Sequence, residues 1–239
     1  MDGDASLLVR LAERPDRAAI LLDVDGVLAP IVDVPGDAAV PEATREELRR
    51  LNGRYALVAC ISGRAGDDAR RIVGLDELVY VGEHGLELEP EALAWSDRLR
   101  AFADGVDWDD VERKPLTVSL HYRRAGDEVA ARARLEAIAE AARREGLVAR
   151  FGRKVLELRP PVAAHKGTAV AHLLGERGLE RGLYAGDDTT DLDAFAALAG
   201  LELGVKVAVA SAEGPPELRE AADIVVGGPA EVVQLLALL

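Results

Sequence analysis

The chain has 239 residues, 49% of them hydrophobic and 30% charged, and its 43 acidic against 29 basic side chains leave a formal charge of -14. That length buries a proper core, as one large domain or two small ones, and so acidic a balance argues against a nucleic-acid partner, whose phosphates need a basic field. The single cysteine, Cys60, excludes an internal disulfide framework and a thiolate metal cluster, in keeping with a reducing compartment.

Leu7, Leu8 and Leu11 predict a short amphipathic helix ahead of Ala18. The run Ala18-Ala-Ile-Leu-Leu22 reads as a buried strand that delivers Asp23 and Asp25 to a turn at Gly26. Successive strand residues alternate faces, so the two carboxylates share one if the strand persists. They repel each other unless one is protonated or a cation lies between them. A nucleophile beside a proton donor, a divalent metal site and a plain Asp-rich turn all fit that ending.

Pro41 opens a helix that Gly53 stops. Tyr55 to Ile61 is an unbroken apolar strand ending in Ser62-Gly-Arg64. A helix over Asp67 to Val73 follows, and then Leu78-Val-Tyr-Val81 runs into Gly82-Glu-His-Gly85. Alternating buried strands and helices predict parallel βαβ units, whose ligands sit at the carboxyl ends of the strands.

From about Leu86 the pattern changes. Leu116 to Tyr122 alternates apolar with polar residues, as a half-exposed antiparallel strand does. A long helix is predicted from Asp127 to Glu145, with Ala131, Leu135, Ile138 and Ala142 at helical spacing and Glu128/Arg132 and Glu140/Arg144 as ion pairs four residues apart. It stops at Gly146, and two short strands flank a tight hairpin at Gly152-Arg153. This middle segment reads as a small α+β domain inserted into the larger one, with Pro160-Pro161 as the return hinge. The parallel pattern resumes with a helix after Lys166-Gly167 and a strand, Gly182 to Ala185, leading into Gly186-Asp-Asp-Thr-Thr-Asp191. Two more strands, at Lys206 to Ala210 and Ala222 to Val226, and a helix from Ala230 complete the core. No apolar run is long enough to span a bilayer, and the acidic start Met1-Asp-Gly-Asp-Ala5 lacks the pattern of a signal peptide. A cytoplasmic protein without membrane partners is expected; a monomer is compatible with the sequence, which does not set the oligomeric state.

Three strand ends and one helix start therefore carry polar groups, each with a dull alternative. Acids opening a helix stabilise its dipole without catalysis, Ser62 could cap a helix, and a lysine is solvated by default. Taken together, clustered carboxylates are the hard ligands Mg²⁺ prefers, and a lysine and a serine hydroxyl suit phosphate oxygens. The combination predicts phosphoryl transfer.

The segments Asp23-Val-Asp-Gly-Val27, Ser62-Gly-Arg64, Lys166-Gly167 and Gly186-Asp-Asp-Thr-Thr-Asp191 resemble, in order, the four motifs of the haloacid-dehalogenase (HAD) phosphatases. The resemblance implies an α/β fold: a Rossmann-like parallel-sheet core over 1–85 and 163–239, with an α+β cap of type IIB inserted at 86–162. It implies that Asp23 is the nucleophile forming an aspartyl phosphate and that Asp25 protonates the leaving oxygen and then activates water. Ser62, Gly63 and Lys166 would hold the phosphate. Mg²⁺ would sit on Asp23, Asp187 and the backbone carbonyl of Asp25, with Asp188 and Asp191 supporting. Val27 departs from the threonine of many members and removes one hydroxyl from the turn.

Gly82-Glu-His-Gly85, Val118 to Arg123 and Val155 to Pro160 are similar to the trehalose-6-phosphate phosphatases within that superfamily. That likeness implies a sugar phosphate as the small-molecule partner, contacted by His84 from the core and by His121, Arg123, Lys154, Glu157, Glu112 and Lys114 from the cap. Cap closure about segments near Leu86 and Pro160 would exclude water. Another sugar phosphate, such as sucrose phosphate or a glycosyl phosphoglycerate, and a non-catalytic sugar-phosphate-binding domain are the rival readings.

Overall fold

The computed structural model describes residues 2–32, 35–152, 154–211 and 214–239. The chain divides into two compact units, Met1–Gly85 with Ala164–Leu239, and Leu86–Ala163. Among the described residues no helix is long and apolar enough to cross a membrane.

The first unit holds α1 (Asp2–Ala12), β1 (Ala18–Leu22), α2 (Glu42–Asn52), β2 (Leu57–Ile61), α3 (Gly66–Val73) and β3 (Val79–Val81) before the chain leaves it. The second unit comprises α4 (Pro90–Leu93), α5 (Ser96–Asp104), β4 (Val111–Arg113), β5 (Val118–His121), α6 (Glu128–Arg144), β6 (Val148–Gly152) and β7 (Val155–Arg159). The chain then returns through α7 (Lys166–Glu176), β8 (Arg181–Gly186), α8 (Asp191–Ala197), β9 (Leu203–Val209), α9 (Pro216–Ala221), β10 (Ile224–Val226) and α10 (Pro229–Leu236).

All strand pairs of the first unit are parallel, in the order β10-β9-β8-β1-β2-β3. β1 and β2 are buried at every position, which is why both read as continuous apolar runs. From β1 the chain builds outward to β2 and β3, then comes back to lay β8 on the opposite side of β1. The order reverses between β1 and β8, and at such a switch point connections diverge and leave a crevice at the strand ends.

In the second unit an antiparallel sheet runs β4-β5-β7-β6. Val118, Leu120, Leu156 and Leu158 point to one face and pack with Leu99 and Ala103 of α5 and with Ala131, Leu135, Ala139 and Ala142 of α6. Truncating a fully buried leucine there, such as Leu135, costs about 2–5 kcal/mol. The opposite face carries a cross-strand row of Glu112, Ser119, Glu157 and Arg150.

Three expectations need correcting. Thr117 and Ser119 are buried rather than exposed; Ser119 sits on β5, a central strand, where its small side chain lies between Glu112 and Glu157 of the neighbouring strands. Neither expected ion pair on α6 forms: Glu128 pairs with Lys154, Arg132 with Glu136, and Glu140 with Arg143. Several carboxylates lie within reach of each long arginine, and the gain from any one exposed pair is too small to dictate the choice. The pattern also gave no warning of α5 and β4. Of the hairpin between β6 and β7, Arg153 lies outside the described residues, and Lys154 takes a left-handed φ of 58°.

Candidate active site

Lys166 is the first residue of α7 and is almost wholly buried. A buried ammonium needs partners, and it has two: it donates to Asp23 Oδ2 at 2.5 Å and to Asp191 Oδ1 at 2.7 Å. Asp23 follows β1 directly, held by its backbone N–H donating to the Ala185 carbonyl of the neighbouring β8, and its Oδ1 accepts from the Val24 N–H at 2.6 Å.

Asp191 opens α8, and its two oxygens accept four bonds. Lys166 Nζ and the Tyr184 hydroxyl reach Oδ1, while the N–H groups of Asp187 and Asp188 reach Oδ2. Saturated in this way, Asp191 is a brace that ties the lysine to the loop after β8. Asp187, by contrast, takes no side-chain hydrogen bond among the described residues. Asp188 is exposed, and its Oδ1 accepts from the N–H and hydroxyl of Thr189, so it caps its own turn and does not reach the lysine.

Ligand atoms of Asp23, Asp187 and Asp191 all lie within 4.8 Å of one another. Three carboxylates thus face one ammonium. Burial, reinforced by repulsion from Asp23 and Asp191, pushes the Asp187 carboxyl up to about 8. Burial likewise raises Asp23, to about 7, against the opposing pull of Lys166. Lys166 is raised too, because its two carboxylate partners outweigh its burial. A divalent cation would meet this surplus of buried negative charge, and the oxygen donors would suit a hard one. Gly26 leaves room beside Asp187: its φ of 77° is left-handed, and a Cβ there would strike the Asp187 carboxylate.

The side chain of Asp25 is not part of that cluster. β1 ends at Leu22, so Asp23 and Asp25 do not continue the strand's alternation, and Asp25 turns to Arg64, which donates to it from Nε at 2.6 Å and Nη2 at 2.8 Å. Ser62, buried at the end of β2, accepts the Arg64 N–H at 3.2 Å, which leaves its own hydroxyl hydrogen to donate. Gly63 lies under His84, whose ring a Cβ at that position would meet at 2.7 Å. The His84 N–H donates to the Ser62 carbonyl and the Glu83 N–H to that of Arg64, so the left-handed pair Glu83 and His84 is bound to the Ser62-Gly-Arg64 loop.

On the polar face of the second unit's sheet, His121 and Glu112 share a 3.0 Å hydrogen bond, and Lys114 lies 3.9 Å from the same carboxylate. Glu157 belongs to the same face. The other two expected residues stand apart: Lys154 pairs with Glu128 at the start of α6, and Arg123 is exposed in the turn after β5.

Two contributors escaped the sequence reading. The signal for Arg64 was its place two residues after Ser62 at a strand end. For Tyr184, it was a hydroxyl inside a strand buried on both sides, which must find a partner.

The trehalose-phosphatase family matches residues 21–223, a span that holds the whole acid and lysine cluster and the second unit. This chain belongs to that family. It is 35% identical over 219 residues to a Mycobacterium tuberculosis protein named as an uncharacterized glycosyl hydrolase, a match covering 80% of this chain and 16% of the relative. It is 33% identical to a trehalose-phosphate phosphatase of Mycobacterium marinum, covering 77% of this chain and 54% of the relative. The chain therefore spans well under two thirds of the length of these relatives. The C-terminal domain of trehalose-6-phosphate phosphatase from C. albicans superposes with a TM-score of 0.73 at 22% identity, covering 98% of this chain and 96% of that one. A haloacid dehalogenase-like hydrolase from Bacteroides thetaiotaomicron superposes at 0.61 with 17% identity, covering 93% and 98%. At those identities the likeness shows the fold, a HAD-type parallel core with a separate antiparallel sheet.

Proposed function

We propose that this member of the trehalose-phosphatase family is a Mg²⁺-dependent phosphatase that hydrolyses trehalose 6-phosphate to trehalose and phosphate through an aspartyl phosphate on Asp23. The observation that carries the reading is the buried Lys166 bridging Asp23 and Asp191 beside the unbonded Asp187. It gathers an acid, its counter-charge and carboxylates that could hold a cation at the neighbouring ends of β1 and β8. Mg²⁺, held by Asp23, Asp187 and the Asp25 carbonyl, would supply charge neutralisation for the phosphoryl group.

In the first half-reaction an Asp23 carboxylate oxygen attacks phosphorus as the bond to the sugar oxygen breaks, and that oxygen takes a proton from Asp25. In the second, water attacks the phosphoaspartate and gives a proton to Asp25, releasing phosphate and restoring Asp23. Two displacements replace one harder one. Lys166 keeps Asp23 oriented and, with the Ser62 hydroxyl and the Gly63 backbone, receives the phosphate oxygens. His84, against Gly63, borders that loop. Glu112, His121, Lys114 and Glu157 offer the mixed donors and acceptors that sugar hydroxyls require.

The test is phosphate release with Mg²⁺ across trehalose 6-phosphate, sucrose phosphate and a glucosyl phosphoglycerate, for wild type and Asp23→Asn. Trehalose 6-phosphate should be the best ester, and the variant should lose on the order of 10⁴-fold or more in kcat while still binding it. Fast release from another sugar ester alone overturns the substrate. Binding by wild type without turnover of any ester replaces the enzyme with a sugar-phosphate-binding domain.

A further inference from the structure

Asp25 sits past the end of β1, on the turn through the left-handed Gly26, with its side chain 37% exposed. Among the described residues no backbone N–H of that turn donates to its carboxylate. Arg64 does: both Asp25 oxygens accept from its fork, at 2.6 and 2.8 Å, and the arginine itself is only 14% exposed. The third guanidinium nitrogen, Nη1, donates to Asp68 Oδ2 at 2.9 Å, and Arg71 grips the other Asp68 oxygen at 2.6 Å. The alternating chain Asp25, Arg64, Asp68, Arg71 thus runs from the turn to α3. A planar guanidinium matches a carboxylate in two bonds at once and so transmits direction, which a point charge does not.

We propose that Arg64 is a positioning residue for the reaction, aiming the Asp25 carboxylate from an anchor on α3. The proposal rests on the phosphatase reading, in which Asp25 carries the proton. With both oxygens accepting from Arg64, the arrangement seen is that of the second half-reaction, in which Asp25 takes a proton from water. Misplacing a proton-transfer group by about 1 Å costs on the order of 10²-fold in rate, and losing it altogether costs about 10²–10⁴-fold. Arg64 acts through Asp25, so the two losses should not add.

The experiment is a cycle of Arg64→Gln, Arg64→Lys, Asp25→Asn and the Asp25→Asn/Arg64→Gln double variant, each assayed for kcat and KM on the ester that wild type hydrolyses best. Arg64→Gln should lose about 100-fold in kcat with KM changed less than about threefold. Arg64→Lys, which keeps the charge and loses the fork, should recover no more than about tenfold of that. In the Asp25→Asn background, removing Arg64 should cost less than about threefold further. A full 100-fold loss in that background overturns the proposal, and so does a rise in KM with kcat intact, which would make Arg64 a substrate-binding group. A crystal structure of Arg64→Gln decides the positioning without turnover: Asp25 should leave its wild-type direction, and an unmoved Asp25 overturns the proposal. Wild type inactive on every ester would instead sink the phosphatase reading.

Discussion

The charged groups of the two units obey different physics. Lys166 and its partners Asp23 and Asp191 are at most 8% exposed, and each bond between them replaces hydration that burial has removed. On the second unit's sheet, Glu112 is 42% and His121 35% exposed, so water shares their polar atoms and no single contact dominates. A buried cluster must be complete to be tolerated at all. A half-exposed one can lose a member and stay folded, which frees its residues to be chosen for a ligand.

Lys166→Met should separate the two regimes most sharply. Asp23 and Asp191 would be left without their counter-charge, at a cost of about 3–5 kcal/mol in urea unfolding. An unchanged midpoint would mean that the cluster is solvated like the sheet face.

A smaller effect is expected from pH. Asp187 is raised from the usual 3.8 to about 8, and an acid that holds its proton more tightly when folded stabilises the fold fully below its unfolded pKa. That contribution is lost as pH rises through about 8. Protein stripped of metal should therefore lose stability between about pH 4 and 8. Added Mg²⁺ should restore it most at the alkaline end, with proton release measurable by calorimetry in two buffers. A flat profile without metal would show that Asp187 ionises freely.

Least of all should stability respond to Glu112→Gln, within about 0.5 kcal/mol. Under the proposed function its effect belongs in binding, as a KM for trehalose 6-phosphate raised about tenfold, the worth of one strong hydrogen bond, with kcat little changed. A drop in stability instead would make Glu112 a structural support for His121.

The same contrast governs what could be read in advance. β1 and β2 were legible because burial on both faces forces an unbroken apolar run, and the polar residues that break such runs, at Asp23, Ser62 and Asp187, are conspicuous for that reason. α5 and β4 were not, because short elements packed on one side tolerate many residue types on the other. Of the residues expected to meet the sugar, His121, Glu112 and Glu157 share a sheet face and Lys114 lies beside Glu112, whereas Lys154 and Arg123 stand apart. Long charged side chains look alike in sequence wherever they point.

By itself the sequence determined that acids, a hydroxyl and a lysine end or begin core elements, since the hydrophobic period places those ends whatever the packing. Only the tertiary structure decided their partners. Laying β8 beside β1 puts Asp187 and Asp191 next to Asp23, and α7 drives Lys166 between them. The end of β1 at Leu22 separates Asp25 from that cluster and hands it to Arg64, 39 residues away in sequence. Hydrogen bonds of 2.5–2.8 Å between residues so far apart depend on strand order and the exact end of a strand, and local pattern encodes neither.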